Sequence, residues 1–196
     1  MSYSMGIISL GDKIRDDALS SLAELKKKGI KTVLITGDNE RTARAIAREV
    51  IIDEYHAELL PEDKVRIVRE LIRKYGGVAM VGDGVNDAPA LAEATVGIAM
   101  GVIGSDVSLE TADVALMRDD LSRLSYLVDL SKTTLEVIKE NIIASITIKG
   151  GFGILAFPGI VALWLAVAIG DMGLSLAVIL NALRLSFVKP NRKLRI

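Results

Sequence analysis

The chain has 196 residues, room for about one ordinary domain and a modest remainder, which excludes a large multidomain machine within these residues. Lys+Arg 24 against Asp+Glu 25 gives a formal net charge of -1, which excludes the basic footprint of a nucleic-acid binder. The absence of cysteine excludes disulfides, a thiolate zinc site and a cysteine nucleophile.

From the N-terminus, Met1 to Leu10 lacks basic residues and leads into Gly-Asp-Lys, so no signal peptide is expected. Ile14, Ala18, Leu22 and Leu25 recur on one helical face that ends at Lys26-Lys27-Lys28 and Gly29. Thr32 to Ile35 is a short β-branched run that stops at Thr36-Gly37-Asp38, and a helix is expected from Arg41 to Val50. Pro61 and Glu62 open an amphipathic helix that runs to Gly76-Gly77. Val78 to Val81 is the next strand and stops at Gly82-Asp83-Gly84. Two further apolar runs, Val96 to Met100 and Val114 to Met117, flank a helical segment expected around Val107 to Thr111. Repeated β-α-β units predict an α/β domain with a mostly parallel sheet, and ligands of such sheets sit at the carboxyl ends of strands, where both Gly-Asp loops fall.

The composition then changes. Hydrophobic residues make up 51% of the chain although 25% is charged, and Lys149 and Asp171 are the only charges between Asn141 and Leu183. Two apolar stretches, about 137–157 and 161–187, are broken by Pro158-Gly159; each is long enough to cross a bilayer as a helix. Lys132 and Lys139 stand before and at the start of the first, while Arg184, Lys189, Arg192, Lys193 and Arg195 cluster at the far end of the second. The positive-inside rule therefore places both ends in the cytoplasm and Phe157-Pro158-Gly159 at an outer turn. Lys149 lies nine residues before Pro158 and Asp171 twelve after Gly159, roughly 13 and 18 Å along a helix. Both fall near mid-membrane, where a lysine can bridge to a carboxylate and where charges are expensive and usually functional.

Asp83 and Asp87 flank Gly84-Val85-Asn86 just after a strand. Two carboxylates at a strand end suit Mg²⁺, which takes few protein ligands and completes its shell with water and phosphate oxygens; the same composition also makes an ordinary turn. Thr36 and the Gly37 N–H can hold phosphoryl oxygens, or Asp38 can cap the next helix. Lys64, in the first turn of its helix, opposes the helix dipole, which suits a phosphate partner, although a solvated lysine is the commoner case. His56 stands beside Tyr55 without a partner at ligand spacing and is given no metal role.

In order and context, Thr36-Gly37-Asp38, Pro61-x-x-Lys64 and Gly82-Asp83-Gly84-Val85-Asn86-Asp87-Ala88-Pro89-Ala90-Leu91 resemble the phosphorylation-domain motifs of P-type ATPases, a branch of the haloacid dehalogenase-like fold. The resemblance continues through Gly97-Ile98-Ala99-Met100-Gly101 and Thr111-Ala112-Asp113. With Lys149 in one span and Asp171-Met172-Gly173 in the next, the tail looks like the last membrane hairpin of the zinc/cadmium/lead exporters. This implies an incomplete three-layer parallel sheet over residues 1–125, a lead-in and two transmembrane helices over 126–188, and a basic cytoplasmic tail over 189–196.

It further implies part of an ATP-driven heavy-metal exporter of the plasma membrane. Asp83 and Asp87, with Asn86 ordering their loop, would serve Mg²⁺; Thr36, Gly37, Asp38 and Lys64 would support the phosphate of ATP; and Asp171 would face the transported divalent cation with Lys149 as counter-ion. The family's Asp-Lys-Thr-Gly-Thr motif does not occur in these residues. The actuator domain, the nucleotide-binding domain and the upstream spans are expected from the same or another chain, and these residues alone are expected to be inactive. The alternative is a membrane-anchored, non-catalytic partner or assembly subunit.

Overall fold

The computed structural model describes residues 14–84, 86–101, 110–159, 162, 164 and 167–189. It divides into two units, Met1–Arg123 and Leu124–Ile196.

In the first unit, helix α1 (Ala18–Lys27) buries Ala18, Ser21 and Leu25 and carries Lys26 and Lys27 in its last turn, where cations complement the helix dipole. Strand β1 (Val33–Ile35) leads into α2 (Glu40–Glu49), and β2 (Glu54–His56) pairs with β1 in parallel, Val33 opposite Glu54 and Ile35 opposite His56. Asn39, not Asp38, caps α2 by accepting from the Thr42 N–H at 3.0 Å. Asp38 instead turns its carboxylate back to Thr36. Helix α3 (Pro61–Tyr75) starts with Pro at its first position, where the missing N–H costs nothing, and ends at Gly76 with φ 82°.

Strand β3 (Ala79–Gly82), helix α4 (Ala88–Glu93), strand β4 (Val96–Met100) and strand β5 (Val114–Leu116) follow. All described strand pairings are parallel, as the β-α-β pattern predicts, and the strands form two hydrogen-bonded groups, β1-β2 and β3-β4-β5. The core between sheet and helices is Val68, Met80, Ala90 and Leu91, with Ile35, Val65, Ile72 and Ala94 packed against it. It holds the carboxyl ends of β1 and β3 against α3 and α4. The helix expected around Val107 lies largely outside the described residues.

In the second unit, α5 (Ser122–Ala156) is one 35-residue helix, so the expected lead-in and first span are continuous. The chain turns at Phe157-Pro158-Gly159. The returning segment is a π-helix at Ala168–Gly173, then α6 (Leu174–Ala182) and a 3-10 turn at Leu183–Phe187. Among the described residues, Ala168–Phe187 is the one helical stretch long and apolar enough to cross a membrane by length and composition. The apolar part of α5 carries Lys139, Glu140 and Lys149.

Candidate functional site

The Thr36-Gly37-Asp38 loop leaves the carboxyl end of β1 and is built by reciprocal hydrogen bonds. Thr36 Oγ1 donates to Asp38 Oδ2 at 2.8 Å and accepts from the Asp38 N–H at 3.0 Å. The loop is tied to the next strand's exit: the Thr36 N–H donates to His56 O, the Leu59 N–H to Thr36 O and the Glu58 N–H to Asp38 O. A side chain on Gly37 would stand 3.3 Å from Leu59 O, so glycine allows the two loops to approach closely. His56 Nε2 lies 3.1 Å from Glu54 Oε1. Lys74, then Tyr75 and His56, hold the Glu54 carboxyl below its ordinary range.

The second loop leaves β3. Asp83 Oδ1 accepts from the Asn86 N–H at 3.1 Å, and Asp83 Oδ2 lies 3.4 Å from Asn86 Nδ2. This is the local side-chain-to-backbone turn that Asp favours. Gly84 adopts φ 78°, a left-handed conformation available to glycine at little cost. Lys64 Nζ donates to Asp87 Oδ1 at 2.7 Å, and both side chains are more than four-fifths buried. The pair joins the first turn of α3 to the start of α4. Gly82 sits directly beneath it: a methyl group there would stand 2.7 Å from Asp87 Oδ2 and 2.8 Å from Asp87 Cβ. The packing of α4 on β4 is equally tight, since a methyl at Gly97 would meet Leu91 O at 2.7 Å. The Gly97 N–H donates to Asp113 Oδ2 at 2.8 Å.

The structure thus joins Lys64 to Asp87 and Asp83 to Asn86. Thr36 and Asp38 bond to each other and to the His56–Leu59 segment. An exposed Asp83 carboxylate at a strand end is a hard oxygen donor of the kind Mg²⁺ takes, and it fits that ion. Asp87 is held by the Lys64 ammonium. Among the described residues, no group of three or more His, Cys, Asp or Glu side chains gathers as a metal cluster.

In the second unit Lys149 Nζ lies 2.7 Å from Asp171 Oδ1. Asp171 belongs to the π-helical stretch, a backbone form frequent at functional positions. Ser175 Oγ donates to Asp171 O at 2.7 Å. Next to Asp171, the two helices approach closely: a methyl on Gly170 would stand 3.2 Å from Phe152 Cδ2.

The pattern of the haloacid dehalogenase-like hydrolases matches residues 3–95. A probable cadmium-transporting ATPase of Alkalihalophilus pseudofirmus is 50% identical over 186 residues, 94% of this chain and 26% of that protein. The chain is a partial homologue of the heavy-metal-transporting P-type ATPases. The zinc/cadmium/lead-transporting P-type ATPase of Escherichia coli K12 is 47% identical over 181 residues, 92% of this chain and 24% of its own length. The crystal structure of a zinc-transporting PIB-type ATPase in the E2.Pi state superposes with a TM-score of 0.82 at 46% identity, covering 89% of this chain and 28% of that one. The chain spans about a quarter of the length of the curated relatives it matches. Its fold is that of a haloacid dehalogenase-like domain with a parallel sheet, followed by apolar helix.

The sequence left several contributors unmarked: Gly82 beneath Asp87, Asn39 as the cap of α2, and Gly170 against Phe152. Gly82 carried a signal, because a glycine ending a strand before an acidic loop implies close approach.

Proposed function

We propose that the chain supplies the Mg²⁺- and phosphate-binding loops, and an intramembrane Asp/Lys pair, of an ATP-driven exporter of divalent heavy-metal cations. The observation that carries this is the 2.7 Å pairing of Lys149 with Asp171 across two apolar helical segments, in a chain whose relatives are cadmium- and zinc-transporting ATPases. Charges at bilayer depth cost a few kcal/mol each on insertion scales, and neutral residues would pack such a hairpin more cheaply.

In this reading residues 1–125 are part of a cytoplasmic phosphorylation domain, 126–188 hold two membrane spans, and 189–196 form a cytoplasmic tail. Asp83 would hold Mg²⁺, which when bound supplies positive charge against phosphate oxygens. Lys64 anchors Asp87, fixes the loop that carries Asp83 and Asn86, and keeps a second cation close to the site. Thr36 Oγ1 and the Gly37 N–H face phosphoryl oxygens at the end of β1, with Asp38 orienting the threonine hydroxyl. These groups act by neutralising charge that develops during phosphoryl transfer. They contribute no nucleophile, so turnover needs the acceptor aspartate from elsewhere in the pump. In the membrane, the Asp171 carboxylate takes the cation, and the Lys149 ammonium neutralises it once the cation has left. Softer ligands that select among zinc, cadmium and lead come from other spans.

The test is metal-stimulated ATPase activity of a complete pump that carries this segment. Cd²⁺ or Zn²⁺ stimulates it, Asp83→Ala abolishes it, and Lys149→Ala slows metal release or uncouples it from dephosphorylation. Full metal-stimulated activity in Asp83→Ala would overturn the assignment.

A further inference from the structure

Four polar side chains bridge the hairpin away from the Lys149–Asp171 pair. Asn181 is their hub. Its Nδ2 donates to Asn141 Oδ1 at 2.9 Å and to Glu140 Oε2 at 3.1 Å, while its Oδ1 accepts from Arg184 Nη1 at 3.0 Å. Arg184 Nη1 also donates to Glu140 Oε2 at 2.8 Å. Each amide and charge in the quartet is answered by another across or along the hairpin.

Ile142, Ile143 and Ile146 on α5, and Leu176, Ile179 and Leu180 on α6, are exposed apolar side chains. These side chains lend the hairpin little packing, so a slip of one helical turn would lose little apolar contact there. It would, however, move Lys149 about 5.4 Å along the axis and break its contact with Asp171. Directional polar bonds are what fix register in such pairs, as one buried asparagine does in a coiled coil. The spacing agrees with a single antiparallel register: eight residues lead from Asn141 to Lys149, and ten lead back from Asn181 to Asp171. The longer count falls on the segment that ends in the π-helical stretch, whose i→i+5 bonding takes up extra residues.

We propose that Glu140, Asn141, Asn181 and Arg184 form a register clamp, a set of positioning residues that holds Lys149 opposite Asp171. Its meaning for transport rests on reading that pair as the ion site; its geometry does not. The chain has no cysteine, so an introduced pair reports register cleanly. Phe152→Cys with Gly170→Cys, placed at the close approach beside Asp171, should form a disulfide readily in the chain embedded in phosphatidylcholine nanodiscs.

Asn181→Leu, which removes three bonds, should lower the oxidation rate about tenfold with helicity by circular dichroism unchanged. Glu140→Arg alone and Arg184→Glu alone should each slow it, and the two together should restore it. An unchanged rate in Asn181→Leu, no rescue by the charge exchange, or loss of the helices in Asn181→Leu would each overturn the clamp. If Asp171→Ala leaves Cd²⁺ binding to a complete pump intact while these oxidation rates shift as stated, the ion reading fails and the clamp stands.

Discussion

Gly82→Ala probes the packing that fixes the acidic loop. The added methyl would sit 2.7 Å from Asp87 Oδ2, 2.8 Å from Asp87 Cβ and 3.2 Å from Asp87 Cγ, all short of the ~3.5 Å at which carbon contacts are comfortable. Asp87 cannot simply swing away, because Lys64 Nζ holds it at 2.7 Å and both side chains are largely buried. Overpacking of this kind costs about 1–3 kcal/mol, and pulling Asp87 from its lysine adds to it; we expect about 2–3 kcal/mol lost locally. Asp87→Gly removes every atom of the clash, so in that background Gly82→Ala should be close to neutral, or stabilising by ~0.5 kcal/mol through reduced chain entropy. The assay is native-state hydrogen exchange at β3 and α4 amides, which reads local opening free energies in a chain of two units. Equal costs of Gly82→Ala in the two backgrounds would refute the argument that Asp87 is the obstacle.

Acid should weaken the first unit through Asp53, whose carboxyl is drawn down to about 2, chiefly by the Lys26 ammonium and then by the Thr32 N–H. A carboxyl depressed in the folded state contributes stability above its ordinary value near 3.8, and that contribution fades as pH falls toward 2. Since Asp53 is exposed, the loss is about 1 kcal/mol after screening, and Asp53→Asn should flatten the dependence of stability on pH in this window. The purified chain should release no phosphate from ATP at steady state; turnover that Asp83→Ala abolishes would contradict the missing-acceptor argument. Gly159→Cys should react with an impermeant thiol reagent on intact cells, whereas Lys193→Cys should react only after permeabilisation; labelling of Lys193→Cys alone would invert the topology.

Much of the α/β unit is written in local pattern. Val33–Ile35 and Ala79–Gly82 are short apolar runs closed by Gly-Asp, and Pro61 and Gly76 bracket α3, so these elements and both loops are legible. Strand β2 is not, because Glu54-Tyr55-His56 is short and polar and owes its pairing to β1 rather than to its own propensity. The six-residue α4 hides within an Asp-Ala-Pro turn signal and is held by burial of Ala90 and Leu91. Asp38 and Asn39 are both good caps, and the reciprocal bonds between Thr36 and Asp38 leave capping to Asn39. In the hairpin, Lys149 and Asp171 stand out as isolated charges in apolar sequence. Glu140, Asn141, Asn181 and Arg184 merge with the polar flanks, and only the register of two helices distant in sequence brings them together.

Equilibrium binding of Cd²⁺ to a detergent-purified, complete pump carrying this segment tests the central claim most directly. The wild type should bind Cd²⁺ with high affinity, and Asp171→Ala should lose that binding while Asp83→Ala retains it. Wild-type stoichiometry and affinity in Asp171→Ala would assign the Lys149–Asp171 pair to the architecture of the hairpin and contradict its role in transport.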